Sequence, residues 1–371
     1  MINVTKSYMG NPEKFKAYVD GIYASRWLTN RGPLCCELEE RLKDYLGVRN
    51  IVLVSNGTLA LQVAYRALGL AGSAVTTPFS FVATSSTLQW EHIRPVFADI
   101  CPQSWNLDPK RIEASLQADT SAIVATHVFG NPCAVDAIDR VAQLHRLKVI
   151  YDGAHAFGVR HAGQSVLNRG HVSTLSFHAT KLFHTIEGGA VVTNDDDLAE
   201  RVRLMTNFGI ADFETIEGLG TNAKLNEFSA AMGLCILDDI ALILEQRAEI
   251  GDFYQRHLGD HLQLQQPTPD SEPNFSYFPV ALASHRQMLA ARAALQEADI
   301  NPRRYFYPSL DTIDYLQPQR PQPVSRGLAQ RVLCLPIYPG LGRQVQQRIV
   351  DTLLPLCDAP RLSLAPLRRA L

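Results

Sequence analysis

Lys181 is the side chain of this sequence that is best placed for covalent chemistry. It ends the segment Ser176–Lys181, which follows a short apolar run and precedes Gly188–Gly189 and a further apolar run. A lysine amine in an apolar turn can form a covalent bond with a carbonyl compound, and the Ser176 hydroxyl can donate a hydrogen bond to a phosphate. Most lysines of the chain are expected to be solvated surface residues, so it is the flanking residues that make Lys181 a candidate.

A carboxylate at the end of another apolar run provides a second chemical group. Asp152 directly follows Val149–Tyr151 and is followed by Gly153, Ala154 and His155. A carboxylate can pair with a cationic ring nitrogen and keep that nitrogen protonated. It can equally bind a metal ion or cap a helix, and the residues alone leave these alternatives open.

A third cluster could hold a phosphate. Ser55, Asn56, Gly57 and Thr58 lie between an apolar run and a segment with helical spacing. The first N–H groups of a helix and the positive end of its dipole bind anions, while Gly57 permits close approach and Thr58 adds a hydroxyl. The alternative is an ordinary helix cap, since Ser, Thr and Asn are common at that position.

A fourth cluster is aromatic. The segment Pro78–Thr84 follows a short apolar run and carries two phenylalanines, Phe79 and Phe81. An aromatic ring at the end of a strand can stack on a planar ligand. Packing in the hydrophobic core is the alternative use of both rings.

Other reactive side chains give weaker indications. His178 and His184 flank Lys181 without a carboxylate or thiol at ligand spacing, so we predict no metal site. Cys334 lies in an apolar run, where a buried and inert thiol is expected rather than the nucleophile of a desulfurase. The seven cysteines include no C-x-x-C pair, which argues against a disulfide framework and favours a reducing cytosol.

The four clusters need a common scaffold, and apolar runs that alternate with helical segments supply one. This alternation predicts an α/β fold with a mostly parallel central sheet flanked by helices, which binds its ligands at the carboxyl ends of the strands. Strands are predicted at Asn50–Val54, Ala74–Thr76, Pro95–Ala98, Ala122–Thr126, Val149–Tyr151, Thr174–Phe177 and Ala190–Thr193. Helices are predicted at Cys35–Leu46, Leu59–Leu68, Asp136–Leu144 and Leu198–Met205.

The pattern changes after about residue 240. A long helix is predicted over Ala230–His257, followed by the polar, proline-rich stretch Gln265–Pro273, an alternating run at Phe275–Leu282 and a helix at Gln287–Ala298. We therefore predict a large cofactor-binding domain over residues 1–240, including an N-terminal segment, and a smaller α+β domain over residues 241–371.

Composition limits the classes of partner. The chain has 371 residues, of which 46% are hydrophobic, and a formal net charge of −2. A sizeable core can be buried, while bulk charge predicts neither nucleic-acid binding nor attachment to an acidic membrane surface. The N-terminus lacks a secretory pattern and no apolar run is long enough to cross a bilayer, so we expect a cytoplasmic protein.

Taken together, the motifs resemble the DegT/DnrJ/EryC1/StrS family of sugar aminotransferases. The resemblance covers nearly the whole chain, and the order and co-occurrence of the motifs are more specific than any single one. They are Ser25–Pro33, Ser55–Thr58, Phe79–Thr84, Asp152–His155, Ser176–Lys181 with Glu187–Gly189, Gly220–Lys224 and Ala230–Gly233. The resemblance implies the fold of the fold-type-I pyridoxal-phosphate enzymes, with pyridoxal 5′-phosphate as the cofactor.

The resemblance also implies roles for the matching residues. Lys181 would be bonded to the cofactor and would later move the proton between the cofactor and the substrate carbon. Asp152 would pair with the ring nitrogen, which makes the ring an electron sink. Phe81 would stack on the ring face, and His155 would lie near the ring hydroxyl.

The cofactor's phosphate would be held by residues from two subunits. Gly57, Thr58 and Ser176 would bind it from one subunit, and Asn222 would reach it from the neighbouring one. The resemblance therefore implies a homodimer with its active sites at the subunit interface.

The substrates implied by the resemblance are L-glutamate as amino donor and a nucleotide-linked keto sugar as acceptor. The motifs Asp152–Gly158 and Gly220–Lys224 are similar to the branch that acts on dTDP-linked keto-6-deoxyhexoses. The expected acceptor is dTDP-4-keto-6-deoxyglucose, giving dTDP-4-amino-4,6-dideoxyglucose, with amination of a 3-keto sugar as the alternative.

The residues that bind these substrates are less well defined. The candidates are Trp27, Leu28, Thr29, Lys224, Arg303, Tyr305 and Tyr307. Lys224 stands where many relatives carry arginine, so Lys224, Arg303 and Arg304 are unranked candidates for the carboxylate of the amino donor.

Other functions of the same fold are alternatives. Dehydratases of the family carry histidine in place of the lysine, so Lys181 favours transamination. A regulatory or ligand-binding protein without turnover would be expected to lose Lys181, Asp152 or the phosphate cluster, and all are present. The motif match also disfavours a desulfurase or a decarboxylase.

Overall fold

The computed structural model describes residues 1–316 and 318–357. Residues 358–371, which the sequence assigns to the smaller domain, lie outside the described part of the chain. Among the described residues, no helix combines the length and apolar character needed to cross a membrane.

The helices alternate with strands through the first half of the chain, as predicted. They are α1 (Pro12–Ser25), α2 (Pro33–Leu46), α3 (Gly57–Ala67), α4 (Ala83–Trp90), α5 (Pro109–Ile112), α6 (Val135–His145), α7 (Asp196–Thr206), α8 (Glu227–Asp238), α9 (Ile240–Leu258), α10 (His285–Glu297), α11 (Pro323–Arg331) and α12 (Arg343–Cys357).

The strands form one large sheet and three small ones. They are β1 (Ile2–Asn3), β2 (Asn50–Val54), β3 (Ser73–Thr76), β4 (Arg94–Phe97), β5 (Thr120–Thr126), β6 (Lys148–Asp152), β7 (Arg160–His161), β8 (Gln164–Ser165), β9 (Val172–Ser176), β10 (Gly189–Thr193), β11 (Gln263–Leu264), β12 (Ser271–Glu272), β13 (Phe278–Ala281), β14 (Ile300–Asn301) and β15 (Val332–Leu335).

The large sheet has seven strands in the order β2-β10-β9-β6-β5-β3-β4. All its strands run in one direction except β10, which is antiparallel to both of its neighbours. Its strands are buried almost throughout, because they are continuous apolar runs with helices on both faces. The predicted α/β fold with a mostly parallel sheet is confirmed.

Each of the four chemical clusters lies at the carboxyl end of a strand in this sheet. Ser55–Thr58 follows β2, Pro78–Thr84 follows β3, Asp152 ends β6 and Ser176 ends β9. Because these strands are parallel, their carboxyl ends share one edge of the sheet, which brings together residues that are far apart in sequence.

Later residues build a smaller sheet with its own hydrophobic core. Strands β11, β13 and β15 pair antiparallel, and side chains from α9, α10 and α12 pack with them. The predicted division of the chain at residue 240 remains a prediction.

Most predicted elements are observed with their ends shifted by a few residues, and two differ by more than that. The single helix predicted over Ala230–His257 is two helices, α8 and α9, that meet at Asp239. The Asp239 carboxylate accepts a hydrogen bond from the Tyr8 hydroxyl, and its backbone leaves the helical conformation. A polar contact with the N-terminal segment therefore interrupts a pattern that reads as continuous in sequence.

The alternating run Phe275–Leu282 forms a strand only over Phe278–Ala281. The segment before this strand is bound elsewhere, because the Asn274 amide donates to the carbonyl oxygens of His155 (2.8 Å) and Phe157 (2.9 Å). The Ser276 hydroxyl also donates to the His155 carbonyl, at 2.8 Å. These bonds attach the start of β13 to the loop that follows β6.

Candidate active site

A cleft of about 350 Å³ lies at the carboxyl edge of the large sheet. It is lined by residues from three of the strand ends described above, by the aromatic segment, and by residues of the smaller sheet region. Of the residues predicted to form the site, it contains Gly57, Thr58, Phe81, Asp152, His155, Ser176, Lys181, Arg303 and Tyr305.

Lys181 lies in the turn after β9, where its backbone N–H donates to the His178 carbonyl at 2.8 Å. Its Nζ is 5.8 Å from the ring centroid of Tyr277. Burial lowers the pKa of Lys181 to about 8, while the charge of Asp152 raises this pKa and the charge of Arg303 lowers it. A substantial fraction of the amine is therefore neutral and nucleophilic near pH 8, as covalent chemistry requires.

Asp152 is held in one orientation by two hydrogen bonds. Its Oδ2 accepts from the Thr84 hydroxyl at 2.7 Å, and its Oδ1 accepts from the Ala154 N–H at 3.1 Å. The carboxylate is only 6% exposed. The described residues include no group of three or more His, Cys, Asp and Glu side chains that could hold a metal ion. The arrangement suits a carboxylate that faces a cationic ring nitrogen.

A buried chain of hydroxyl groups extends behind Asp152. Thr84 Oγ1 lies 2.8 Å from Ser80 Oγ, which lies 3.0 Å from Thr126 Oγ1. All three residues are almost fully buried. In the sequence, the segment that contains Ser80 and Thr84 stands out only for its aromatic rings, so this support of Asp152 was not predicted.

The start of helix α3 forms a concave surface beside Ser176. Asn56 caps the helix, and its side chain accepts from the Leu59 N–H at 2.8 Å. A Cβ at Gly57 would lie 2.8 Å from the Cβ of Ser176, so a side chain there would fill the space between the two segments. Free N–H groups at a helix end, a hydroxyl at Ser176 and another at Thr58 are the donors that a phosphate requires.

The two phenylalanines of the aromatic segment have different environments. Phe79 is fully buried and packs edge-on against Phe306, with ring centroids 5.5 Å apart. Phe81 is 50% exposed and lines the cleft. The core-packing alternative therefore describes Phe79, while the ring of Phe81 is available to a planar ligand.

His155 is buried and also lines the cleft. Its Nδ1 accepts from the Phe129 N–H at 3.2 Å, and its ring lies nearly parallel to that of Phe306. Burial, together with the charge of Lys181, holds the pKa of His155 well below its usual range. Because Nδ1 is an acceptor, the neutral ring carries its hydrogen on Nε2, which makes it a donor.

The remaining predicted residues do not line the cleft of this chain. Lys224 lies with its Nζ 2.9 Å from Asn207 Oδ1 and 4.7 Å from the ring centroid of Phe208. Tyr307 is half exposed and lies under the Arg304 guanidinium. Exposed positions outside the cleft are also occupied by Trp27, Leu28, Thr29 and Asn222.

Several lining residues were not predicted. They are Tyr277, Thr126, Thr174, His178, Thr180 and Glu187, among others. Tyr277 belongs to the later part of the chain, which Asn274 and Ser276 attach to the loop after β6. The alternating pattern around Tyr277 predicts a strand but gives no indication of this contact.

Comparison with known proteins gives concordant matches. The family described as the DegT/DnrJ/EryC1/StrS aminotransferase family matches residues 11–354. A dTDP-4-amino-4,6-dideoxy-D-glucose transaminase from Shigella dysenteriae is 41% identical, with 95% of this chain and 98% of the relative covered. A protein of the same name from Escherichia coli is 36% identical over the same shares of the two chains.

A solved structure agrees with these relatives. The crystal structure of DesI in the presence of its TDP-sugar product has a TM-score of 0.91 and 34% identity to this chain. The match covers 96% of this chain and 93% of that one. The likeness therefore includes both the large sheet and the smaller one.

Proposed function

The chain belongs to the DegT/DnrJ/EryC1/StrS aminotransferase family, and from this membership we propose that it transfers the amino group of L-glutamate to dTDP-4-keto-6-deoxyglucose. The product would be dTDP-4-amino-4,6-dideoxyglucose. The observation that carries the choice of acceptor is the similarity to two transaminases of that name over nearly the whole length of each.

The cofactor of this aminotransferase is pyridoxal 5′-phosphate, and the cleft offers a matching donor set. Gly57, Thr58 and Ser176 would hold the phosphate at the end of α3, where a Cβ on residue 57 would fill the space. Asp152 would pair with the ring nitrogen. When bound, the cofactor supplies an aldehyde that can accept an amino group and a ring that withdraws electrons from the reacting carbon.

Two further residues would fix the ring's orientation. The half-exposed ring of Phe81 would stack on one face of the cofactor. The neutral His155 would donate from Nε2 to the ring hydroxyl, because its Nδ1 is already engaged by the Phe129 N–H. A neutral donor at this position leaves the hydroxyl oxygen free to carry negative charge.

Lys181 performs the proton transfer in this proposal. Its Nζ, with a pKa of about 8, takes the proton from the α-carbon of L-glutamate as the amino group leaves the donor. In the second half of the reaction, Nζ returns a proton to the sugar carbon that becomes aminated. A general base operates best when its pKa is near the working pH, and the burial of Lys181 provides this match.

We also propose that the active unit is a homodimer. The segment between α7 and α8 exposes several large apolar side chains: Phe208, Ile210, Phe213, Ile216 and Leu219. An exposed apolar surface of this kind is typical of protein interfaces. Asn222 lies at the end of this segment, paired with Asn207, so a second subunit packed there would receive the Asn222 side chain near its own cleft.

We place the enzyme in the cytoplasm. Six of its cysteines are free thiols, some of them partly exposed, which suits a reducing compartment: Cys35, Cys36, Cys101, Cys133, Cys235 and Cys334.

Substitution of Thr84 by valine is expected to lower kcat about tenfold, since it removes a hydrogen bond to a charged carboxylate. Valine keeps the size of the side chain but leaves Asp152 Oδ2 without its donor at 2.7 Å. The pH midpoint of the absorption of the bound cofactor should shift as well, because Asp152 would be less well held against the ring. Steady-state kinetics and a spectral pH titration measure the two effects.

Thr84→Ser should restore both properties, because serine retains the hydroxyl. Thr87→Val is the matched control, since Thr87 lies on the same helix and donates to backbone carbonyls of residues 83 and 84 rather than to Asp152. Equal losses in Thr84→Val and Thr87→Val, without a spectral shift, would show that Thr84 acts only through the stability of α4.

The proposed reaction is tested by the absorption spectrum of the purified, cofactor-loaded protein. The yellow band should fade when L-glutamate is added and return when dTDP-4-keto-6-deoxyglucose is added. NMR of the product should place the amino group on C4 of the sugar. Fading without return would show that the acceptor is wrong, and amination at C3 would replace the proposed substrate by a 3-keto sugar.

A further inference from the structure

Arg303 is a charged residue of the cleft to which the proposed cofactor contacts assign no role. Its backbone is fixed to β15, because its N–H donates to the Cys334 carbonyl at 3.2 Å and its carbonyl accepts from the Cys334 N–H at 2.8 Å. Its guanidinium is exposed and lies over the ring of Tyr305, with Cζ 4.3 Å from the centroid. No carboxylate of the described residues lies within ion-pair distance of it.

A continuous set of aromatic contacts joins Arg303 to Lys181. The Tyr305 ring packs edge-on against the Tyr277 ring, with centroids 5.4 Å apart. Lys181 Nζ lies over the other end of this pair, 5.8 Å from the Tyr277 centroid. The charge of Arg303 lowers the pKa of Lys181, which places the guanidinium within electrostatic reach of the reacting amine.

The other two basic candidates are engaged elsewhere in this chain. Lys224 donates to Asn207 Oδ1 and lies over the Phe208 ring. Arg304 lies 3.4 Å above the Tyr307 ring centroid and donates to the Ala329 carbonyl. Of the three, Arg303 alone lines the cleft that contains Lys181.

We propose that Arg303 binds the α-carboxylate of the amino donor during the first half of the reaction. The proposal rests on the proposed transaminase function and adds the site that selects an amino acid as donor. A guanidinium offers two parallel N–H groups to a carboxylate, and stacking on Tyr305 holds its plane in place.

The position of Arg303 favours a carboxylate over the diphosphate of the nucleotide sugar. The α-carboxylate is attached to the same carbon as the amino group, so the residue that binds it must lie close to Lys181. The diphosphate is separated from C4 of the acceptor by the width of the sugar ring, which places its binding residues farther from Lys181. Arg303 lines the same cleft as Lys181 and is linked to it through the rings of Tyr305 and Tyr277, so its position fits the donor better than the acceptor.

The experiment compares Arg303→Gln with the wild type in each half-reaction separately. The concentration of L-glutamate that half-converts the yellow band should rise roughly 10- to 100-fold, as expected for the loss of hydrogen bonds to a charged group. Binding of α-methyl-L-glutamate, which lacks the proton that Lys181 removes, should weaken by a similar factor in a spectral titration. When Arg303→Gln is loaded with pyridoxamine 5′-phosphate, the concentration of dTDP-4-keto-6-deoxyglucose that restores half of the yellow band should equal that of the wild type.

Three comparisons decide the result. The affinity for L-glutamine should fall as much as that for L-glutamate, since both carry the α-carboxylate and they differ only in the side-chain amide or carboxylate. A loss confined to L-glutamate would assign Arg303 to the side-chain carboxylate and overturn the proposal. A loss confined to the sugar half-reaction would assign it to the diphosphate and overturn it too. Arg303→Lys should recover part of the affinity, because it keeps the charge without the planar fork.

A matched control is available in Arg343, whose guanidinium lies 3.6 Å from the Phe253 ring centroid and outside the cleft. Arg343→Gln should leave both half-reactions unchanged, so an equal loss in this variant would count against a specific role of Arg303. If the wild-type protein fails to respond to L-glutamate, the proposed function itself fails. If the wild type responds to L-glutamate and Arg303→Gln responds at the same concentrations, only the assignment of Arg303 is wrong.

Discussion

Replacement of Lys181 by alanine is expected to lower the rate of amino transfer by about 10³-fold or more, since it removes both the covalent attachment and the group that moves the proton. The variant should still bind the cofactor, because the proposed phosphate and ring contacts come from Gly57, Ser176 and Asp152. Single-turnover kinetics with L-glutamate, together with the spectrum of the bound cofactor, measure the two properties separately. Added methylamine should restore part of the proton transfer.

The control for this variant is Lys110→Ala. Lys110 is exposed in the short helix α5 and does not line the cleft. Its replacement by alanine should therefore leave the reaction rate unchanged. Thermal unfolding of both variants checks that the fold is intact. Turnover at the wild-type rate in Lys181→Ala would rule out the assignment of this lysine as the group that moves the proton.

The large sheet could be predicted from sequence because its strands are short, uniformly apolar runs. Asn50–Val54 is observed with the predicted bounds, since a strand that is buried on both faces must be apolar on both. The strand ends followed from the same pattern, so Asp152 and Ser176 were expected at one edge of the sheet. The fold rule that ligands bind at this edge then placed Lys181 beside them.

The features of the fold and of the candidate site that could not be predicted depend on contacts between residues that are distant in sequence. Thr84 and Asp152 are separated by 68 positions, and a threonine hydroxyl has no sequence signature that identifies its partner. Tyr277 enters the cleft because Asn274 bonds to the backbone after β6, which no periodicity reveals. The break between α8 and α9 likewise depends on a hydrogen bond from Tyr8 to Asp239.

The residues that carry the chemistry differ from those expected to select the substrate. Lys181, Asp152 and the start of α3 describe chemistry that every transaminase of this fold needs, so they say little about the sugar. Arg303 and Tyr305 line the same cleft but belong to the later part of the chain, where the sequence left the candidates unranked. Specificity for the donor is therefore expected to reside in residues after β13 rather than in the large sheet.

Mixing two inactive variants is expected to restore activity if Asn222 completes the cleft of a neighbouring subunit. Asn222→Asp would place a negative charge against the cofactor's phosphate and should weaken cofactor binding about 100-fold, because like charges in close contact cost several kcal/mol. Lys181→Ala is inactive for a different reason. A heterodimer of the two variants would contain one cleft with both substitutions and one with neither.

Unfolding or dissociating the two variants together and reassembling them should therefore recover roughly a quarter of the wild-type activity at limiting cofactor, as random pairing of a two-fold symmetric dimer predicts. The matched control mixes Lys181→Ala with Asp152→Ala, two residues that line the same cleft of one chain, and should recover none. Recovery in neither mixture, in protein shown to be dimeric by light scattering, would mean that Asn222 does not serve the other subunit. In that case its exposed position on the apolar segment would have to be explained by packing at the interface alone.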